Sequence, residues 1–136
     1  MTSQNKSSKF LNIFLWTAQI VLGAMFLMAG IMKSTQPLEE LGKSLPWVND
    51  VGLFTRFIGI VELLGSIGLI LPSLLRIKPI LTPLAAFGLF IIMVLALVYH
   101  ITRGEYEALG INLILAAIAL FIVWGRYKKV PVLPKV

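Results

Sequence analysis

The sequence predicts an all-α fold: a transmembrane four-helix bundle with both termini cytoplasmic and a short interfacial helix in the first extracytoplasmic loop. Three observations carry that prediction. Hydrophobic residues make up 58% of the 136-residue chain and charged residues 13%, with a mean hydropathy of +0.92. A soluble domain of this size could not cover so much apolar surface. The chain also divides into four apolar runs, each close to the ~20 residues that a membrane crossing needs. Finally, the basic residues gather at the ends of those runs in a sided pattern.

Residues 1–9 form a polar N-terminal tail, followed by a first span over residues 10–32 that Lys33 closes. This run lacks a small-residue cleavage site and reads as a retained helix rather than a signal peptide. Gln19, Gly23 and Gly30 fall on or near one face of it, a small-residue stripe that suits close helix packing. In the connector over residues 34–50, Pro37 precedes Glu39 and Glu40. Proline fits a first helical turn and acids favour the positive end of the dipole, so a short helix is expected there, with Trp47 as an interfacial anchor. The second span covers about 52–71, with Pro72 as its stop, and the third about 80–99, with Pro83 harmless in its first turn. The fourth covers about 106–124. The bundle domain is taken as residues 10–127, and residues 128–136, holding Pro131 and Pro134 among lysines, read as a basic tail that loses order.

Four spans return the chain to its starting side. That side holds Lys6, Lys9, Arg76, Lys78, Arg126, Lys128, Lys129 and Lys135; the other holds Lys33, Lys43, Arg56 and Arg103. Every acid except Glu62 lies on the second side. The excess of Lys and Arg places both termini in the cytoplasm, and aromatic residues at both ends of the spans agree with a membrane belt. The net charge of +6 therefore reports topology rather than nucleic-acid binding.

Glu62 is the residue around which the polar groups are sorted. An ionisable group at mid-bilayer costs roughly 2.5–3.5 kcal/mol on insertion scales, so it faces a partner or a cavity. A rise of 1.5 Å per residue puts Glu62 roughly 15 Å below the outer boundary, Gln19 at similar depth, and Arg56 and Asn112 roughly 6–9 Å deep. Lys33, His100, Arg103, Glu105 and Glu107 crowd the outer rim. The expectation is a polar pocket that opens outward, above an inner half of nearly pure hydrocarbon. Two readings of Glu62 stand: a satisfied clamp bonded to Gln19, Asn112 or backbone, or a site for a polar head group or proton. The residues expected to bind a ligand are Glu62, Arg56, Gln19, Asn112, His100 and Lys33, while Gly23, Gly30, Gly59, Gly65 and Gly68 pack helices. Met25, Met28 and Met32 read as flexible core filler. No metal cluster, nucleophile triad or phosphate loop is present, the chain has no cysteine, and one histidine cannot supply both axial ligands of a b-type haem.

Ala29-Gly30 with Lys33, Leu45-Pro46, the run Ile58-Gly59-Ile60-Val61-Glu62-Leu63-Leu64-Gly65 continuing to Gly68 and Pro72, His100, Asn112 and Gly125-Arg126 occur in this order. In these residues the chain resembles the DoxX-like family of small membrane proteins over about 15–126. The resemblance implies a four-helix bundle in a bacterial cytoplasmic membrane. It also implies association with membrane oxidoreductase systems, since some relatives are named as subunits of a thiosulfate:quinone oxidoreductase and others are linked to receptor assembly. It supplies no catalytic residues.

The leading expectation is thus a membrane subunit or small-molecule binding protein. Its outward-facing site would hold a quinone or lipid, and any electrons would come from a partner or bound cofactor. The alternatives are a scaffold or assembly factor that packs through its glycine faces, and a small-solute or proton transporter. The expected partners are the lipid bilayer, a lipophilic molecule, oxidoreductase subunits and further copies of the chain. Ligand identity, catalysis and oligomeric state stay open.

Overall fold

The computed structural model describes residues 3–135, so the first two residues of the expected N-terminal tail and the last of the basic tail lie outside the described residues. Six α-helices follow one another: α1 (Ser3–Thr35), α2 (Leu38–Ser44), α3 (Val48–Val51), α4 (Phe54–Leu75), α5 (Leu81–Thr102) and α6 (Leu109–Trp124). A single 3₁₀ turn, Tyr106–Ala108, leads into α6, and a π-type turn, Gly125–Lys129, ends it. Among the described residues, four segments are long and apolar enough to cross a membrane: Ser8–Thr35, Phe54–Leu75, Leu81–Thr102 and Tyr106–Lys129.

Local chemistry explains where the helices end, and three boundaries differ from the sequence reading. α1 begins at Ser3, inside the expected polar tail, because no glycine or proline interrupts residues 3–9. α4 runs through Pro72 to Leu75. One turn before a helix end, a proline removes only one donor, and the helix stops instead at Arg76, whose left-handed φ of 57° turns the chain so that the next N–H, that of Ile77, reaches the Pro72 carbonyl at 3.1 Å. The C-terminal segment is also docked rather than loose: the Lys135 N–H donates to the Arg76 carbonyl at 2.8 Å and Arg76 Nε donates to the Leu133 carbonyl at 2.8 Å. The short helix expected after Pro37 is α2, with Glu39 and Glu40 in its first turn.

The four long helices form an up-down bundle in which α1 packs on α4, α4 on α5, α5 on α6, and α6 more lightly on α1. Leu22, Phe26, Leu69, Ala86, Leu89, Met93, Ala116, Ala119 and Ile122 form the core. Glycines set two of the seams. A Cβ at Gly30 would meet the Gly59 carbonyl at 2.8 Å, and one at Gly59 would meet Lys33 Cβ at 2.8 Å, so α1 and α4 approach almost backbone to backbone. On the other side of α4, Gly65 faces Leu89 and Gly68 faces Ala85, both at 2.7 Å from the added atom. Gly23 is looser, 3.2 Å from Ile70 by the same measure. All five predicted packing glycines are therefore spent inside the bundle. Met25 and Met28, read as core filler, point outward, because the stripe that enters the core is Leu15, Gln19, Leu22 and Phe26.

Candidate functional site

Beneath α3, between α4 and α5, lies a chamber of about 370 Å³. Its walls are apolar: Val51, Phe54, Phe57, Ile58, Val61, Ile92, Met93, Leu95 and Ala96. Its polar groups are Lys33, Glu62, Asn112, His100 and Tyr99, with Trp47 at the rim. Phe57 and Leu95 line it while remaining 59% and 64% exposed, so the chamber reaches the bilayer-facing surface between α4 and α5.

At its polar end Lys33 Nζ donates to both Glu62 oxygens, at 2.7 and 3.0 Å, with side-chain exposures of 14% and 2%. Helix geometry makes this meeting necessary. Side chains lean toward the N-terminus of their own helix. α1 and α4 are antiparallel, so Lys33 leans down the seam while Glu62 leans up it. Gly30 and Gly59 bring the two backbones close enough for the contact. Lys33 also stands over the Trp47 ring, 5.4 Å from its centroid. An ammonium has three protons, and two are held by the carboxylate, which leaves one donor for a guest. The Asn112 amide lines the chamber from α6.

A polar latch lies at the α3 end of the chamber. Asp50 of α3 accepts from Tyr99 Oη at 2.9 Å and pairs with Arg103 at 2.9 Å. Arg103 Nε also donates to Glu105 at 3.0 Å, and Glu105 sits 2.7 Å from His100 Nδ1. The hydrogen bonds from His100 and Arg103 hold the Glu105 carboxyl below its ordinary value. An ionised carboxylate can only accept, so the Nδ1 proton belongs to His100 and Nε2 is its free ring nitrogen.

Of the residues predicted for the site, the structure brings Lys33, Glu62, Asn112 and His100 together. Arg56 stands apart: its Nη1 donates to the Lys33 carbonyl at 2.8 Å and so satisfies the last turn of α1. Gln19 is a correction. Neither it nor Asn112 clamps Glu62; its amide donates to the Leu69 carbonyl at 2.6 Å and its oxygen accepts from Arg126 Nε at 2.6 Å, at the opposite end of the bundle. The inner half is accordingly not plain hydrocarbon, since Gln19, Arg126, Ser73 and Thr82 are all buried there. Sequence reasoning missed Lys33 as the partner of Glu62, although the opposed lean of the two side chains was a usable signal.

Four apolar spans around an internal ion pair define a small polytopic membrane protein whose one buried carboxylate is neutralised from a neighbouring helix. The DoxX-like family model matches residues 17–122, and the chain belongs to that family. No curated protein and no solved structure matches it.

Proposed function

We propose that the protein binds a lipophilic small molecule with a carbonyl- or hydroxyl-bearing head, of the quinone or lipid class, in the chamber above Glu62. The observation that carries this reading is an apolar chamber open toward lipid that presents the Lys33 ammonium and the Asn112 amide, with the His100 ring at its mouth. About 370 Å³ falls within the ~300–1,000 Å³ usual for small-molecule sites, which are mostly apolar with a few convergent polar groups. Lys33 and Asn112 donate to the head's oxygens, and Glu62 fixes the ammonium and balances its charge. Membership of the DoxX-like family, some of whose members are named as oxidoreductase subunits, favours a subunit or ligand carrier beside a membrane oxidoreductase, with any electrons coming from a partner or bound cofactor. The sidedness of Lys and Arg supports termini inside, with α2 and α3 at the outer interface, and the family resemblance supports a bacterial cytoplasmic membrane. Scaffolding through glycine faces is disfavoured, because those faces are filled within the chain.

The test is native mass spectrometry of protein extracted in mild detergent from its own membrane, beside Ala96→Phe, which fills the chamber. A co-purifying lipophile present in the wild type and absent from the folded variant supports the proposal. Equal occupancy in both, or none in either, refutes it.

A further inference from the structure

The opposite end of the bundle carries a second polar site that the chamber does not explain. Arg126 is 3% exposed, yet no carboxylate neutralises it among the described residues. Its acceptors are all uncharged: Gln19 Oε1 at 2.6 Å, Asn12 Oδ1 at 2.7 Å and the Val130 carbonyl at 3.0 Å. Nη2 has no acceptor among the described residues. The Trp16 ring, 5.4 Å from the guanidinium carbon, gives a partial counterpart only. An isolated buried cation is costly, which is why buried charges are normally paired.

Beside Arg126 an open groove of about 620 Å³ runs between the start of α1 and the docked C-terminal segment. Its rim carries Lys9 and Arg76, and hydroxyls of Ser8 and Ser73 line it. All six acidic side chains lie elsewhere: Glu39, Glu40, Asp50, Glu62, Glu105 and Glu107. We infer that the groove binds a phosphate group, with Arg126 as its buried cation and Lys9 and Arg76 as its outer arms. A guanidinium suits phosphate through paired N–H bonds, and the Nη1 edge is reached by displacing the neutral Val130 carbonyl. The phosphate is either the headgroup of an anionic lipid in the adjoining leaflet or a soluble phosphate.

The variant to use is Lys9→Ser/Arg76→Ser, which strips the rim charge and keeps Arg126 with its Gln19 and Asn12 partners, at the loss of the Arg76 bond to the Leu133 carbonyl. One arm reconstitutes wild type and variant in bilayers of phosphatidylcholine with one third phosphatidylglycerol and weighs retained lipid by native mass spectrometry. The other arm follows thermal unfolding in detergent with inorganic phosphate against chloride at equal ionic strength. Each lost charge weakens phosphate retention about fivefold, so the variant falls about 25-fold in the arm that matters. Selective retention of phosphatidylglycerol identifies a headgroup site, and stabilisation by inorganic phosphate without lipid selectivity identifies a soluble ligand. The inference is overturned if neither arm separates the anion from its control, or if the variant matches wild type in both.

Discussion

Removing the Lys33 ammonium is the sharpest perturbation of the upper site. In Lys33→Met the Glu62 carboxyl keeps its burial, 2% exposed, and loses both of its hydrogen bonds, at 2.7 and 3.0 Å. Breaking a buried pair from one side costs about 3–5 kcal/mol, because the survivor is left uncompensated. Exchanging both partners for apolar groups of similar size is near neutral, so Lys33→Met/Glu62→Leu recovers most of that loss. Glu62→Gln falls between, since Lys33, 14% exposed, can turn its free charge toward the chamber. The assay is reversible unfolding in mixed micelles over wild type, Lys33→Met, Glu62→Leu and Lys33→Met/Glu62→Leu, and the expected coupling exceeds about 2 kcal/mol. A Lys33→Met protein within about 1 kcal/mol of wild type, or a double variant worse than either single one, refutes a buried pair at this position.

The glycine seams give a contrast within one fold. Gly30→Ala drives a methyl into the Gly59 carbonyl and the Leu63 N–H and loses about 1–3 kcal/mol, whereas Gly88→Ala, with open space around it, gains up to about 1 kcal/mol in the same unfolding measurement. Asn112→Leu leaves the core intact but removes a donor from the chamber, so the amount of co-purified lipophile falls about 5- to 30-fold while the thermal midpoint stays near wild type. The outer latch depends on pH. Glu105 is held below its ordinary 4.5, so the latch is intact above that value and fails as pH falls through the lower folded value. Hydrogen exchange of α3 is therefore expected to rise only under acid conditions, and Glu105→Gln weakens that dependence.

The membrane class and the four long helices were legible because hydropathy and span length act locally. So was α2, which needs only Pro37 and the two acids after it. What failed depended on direction or on partners distant in the chain. Counting depth from each Cα left Lys33 at the rim, whereas its four-carbon stem and backward lean carry the ammonium well below its own backbone. Gln19, assigned to the depth and the site of Glu62, instead serves the other end of the bundle. Its partner Arg126 is 107 residues away and turns inward where α6 rewinds into a π-type turn. Gly125 packs against Leu15 at that point, which lets the end of α6 approach α1. A glycine before an arginine does not announce that geometry in a sequence.

The two polar sites occupy opposite ends of the α1–α4 seam, and what separates them bears on the transport alternative. Between the Lys33–Glu62 pair and the Gln19–Arg126 pair lie Leu22, Phe26, Leu69 and Leu89, each no more than 3% exposed. A proton or solute passing from one site to the other would have to part side chains packed at the density of a protein interior. The chamber by contrast already meets the membrane sideways, between Phe57 and Leu95. Access from the bilayer therefore passes the exposed side chains of Phe57 and Leu95, while passage across it needs the core to open. A wide chamber residue at Leu95, as in Leu95→Trp, should slow uptake of a lipophilic ligand from vesicles without altering stability, and unchanged uptake would rule out the lateral portal.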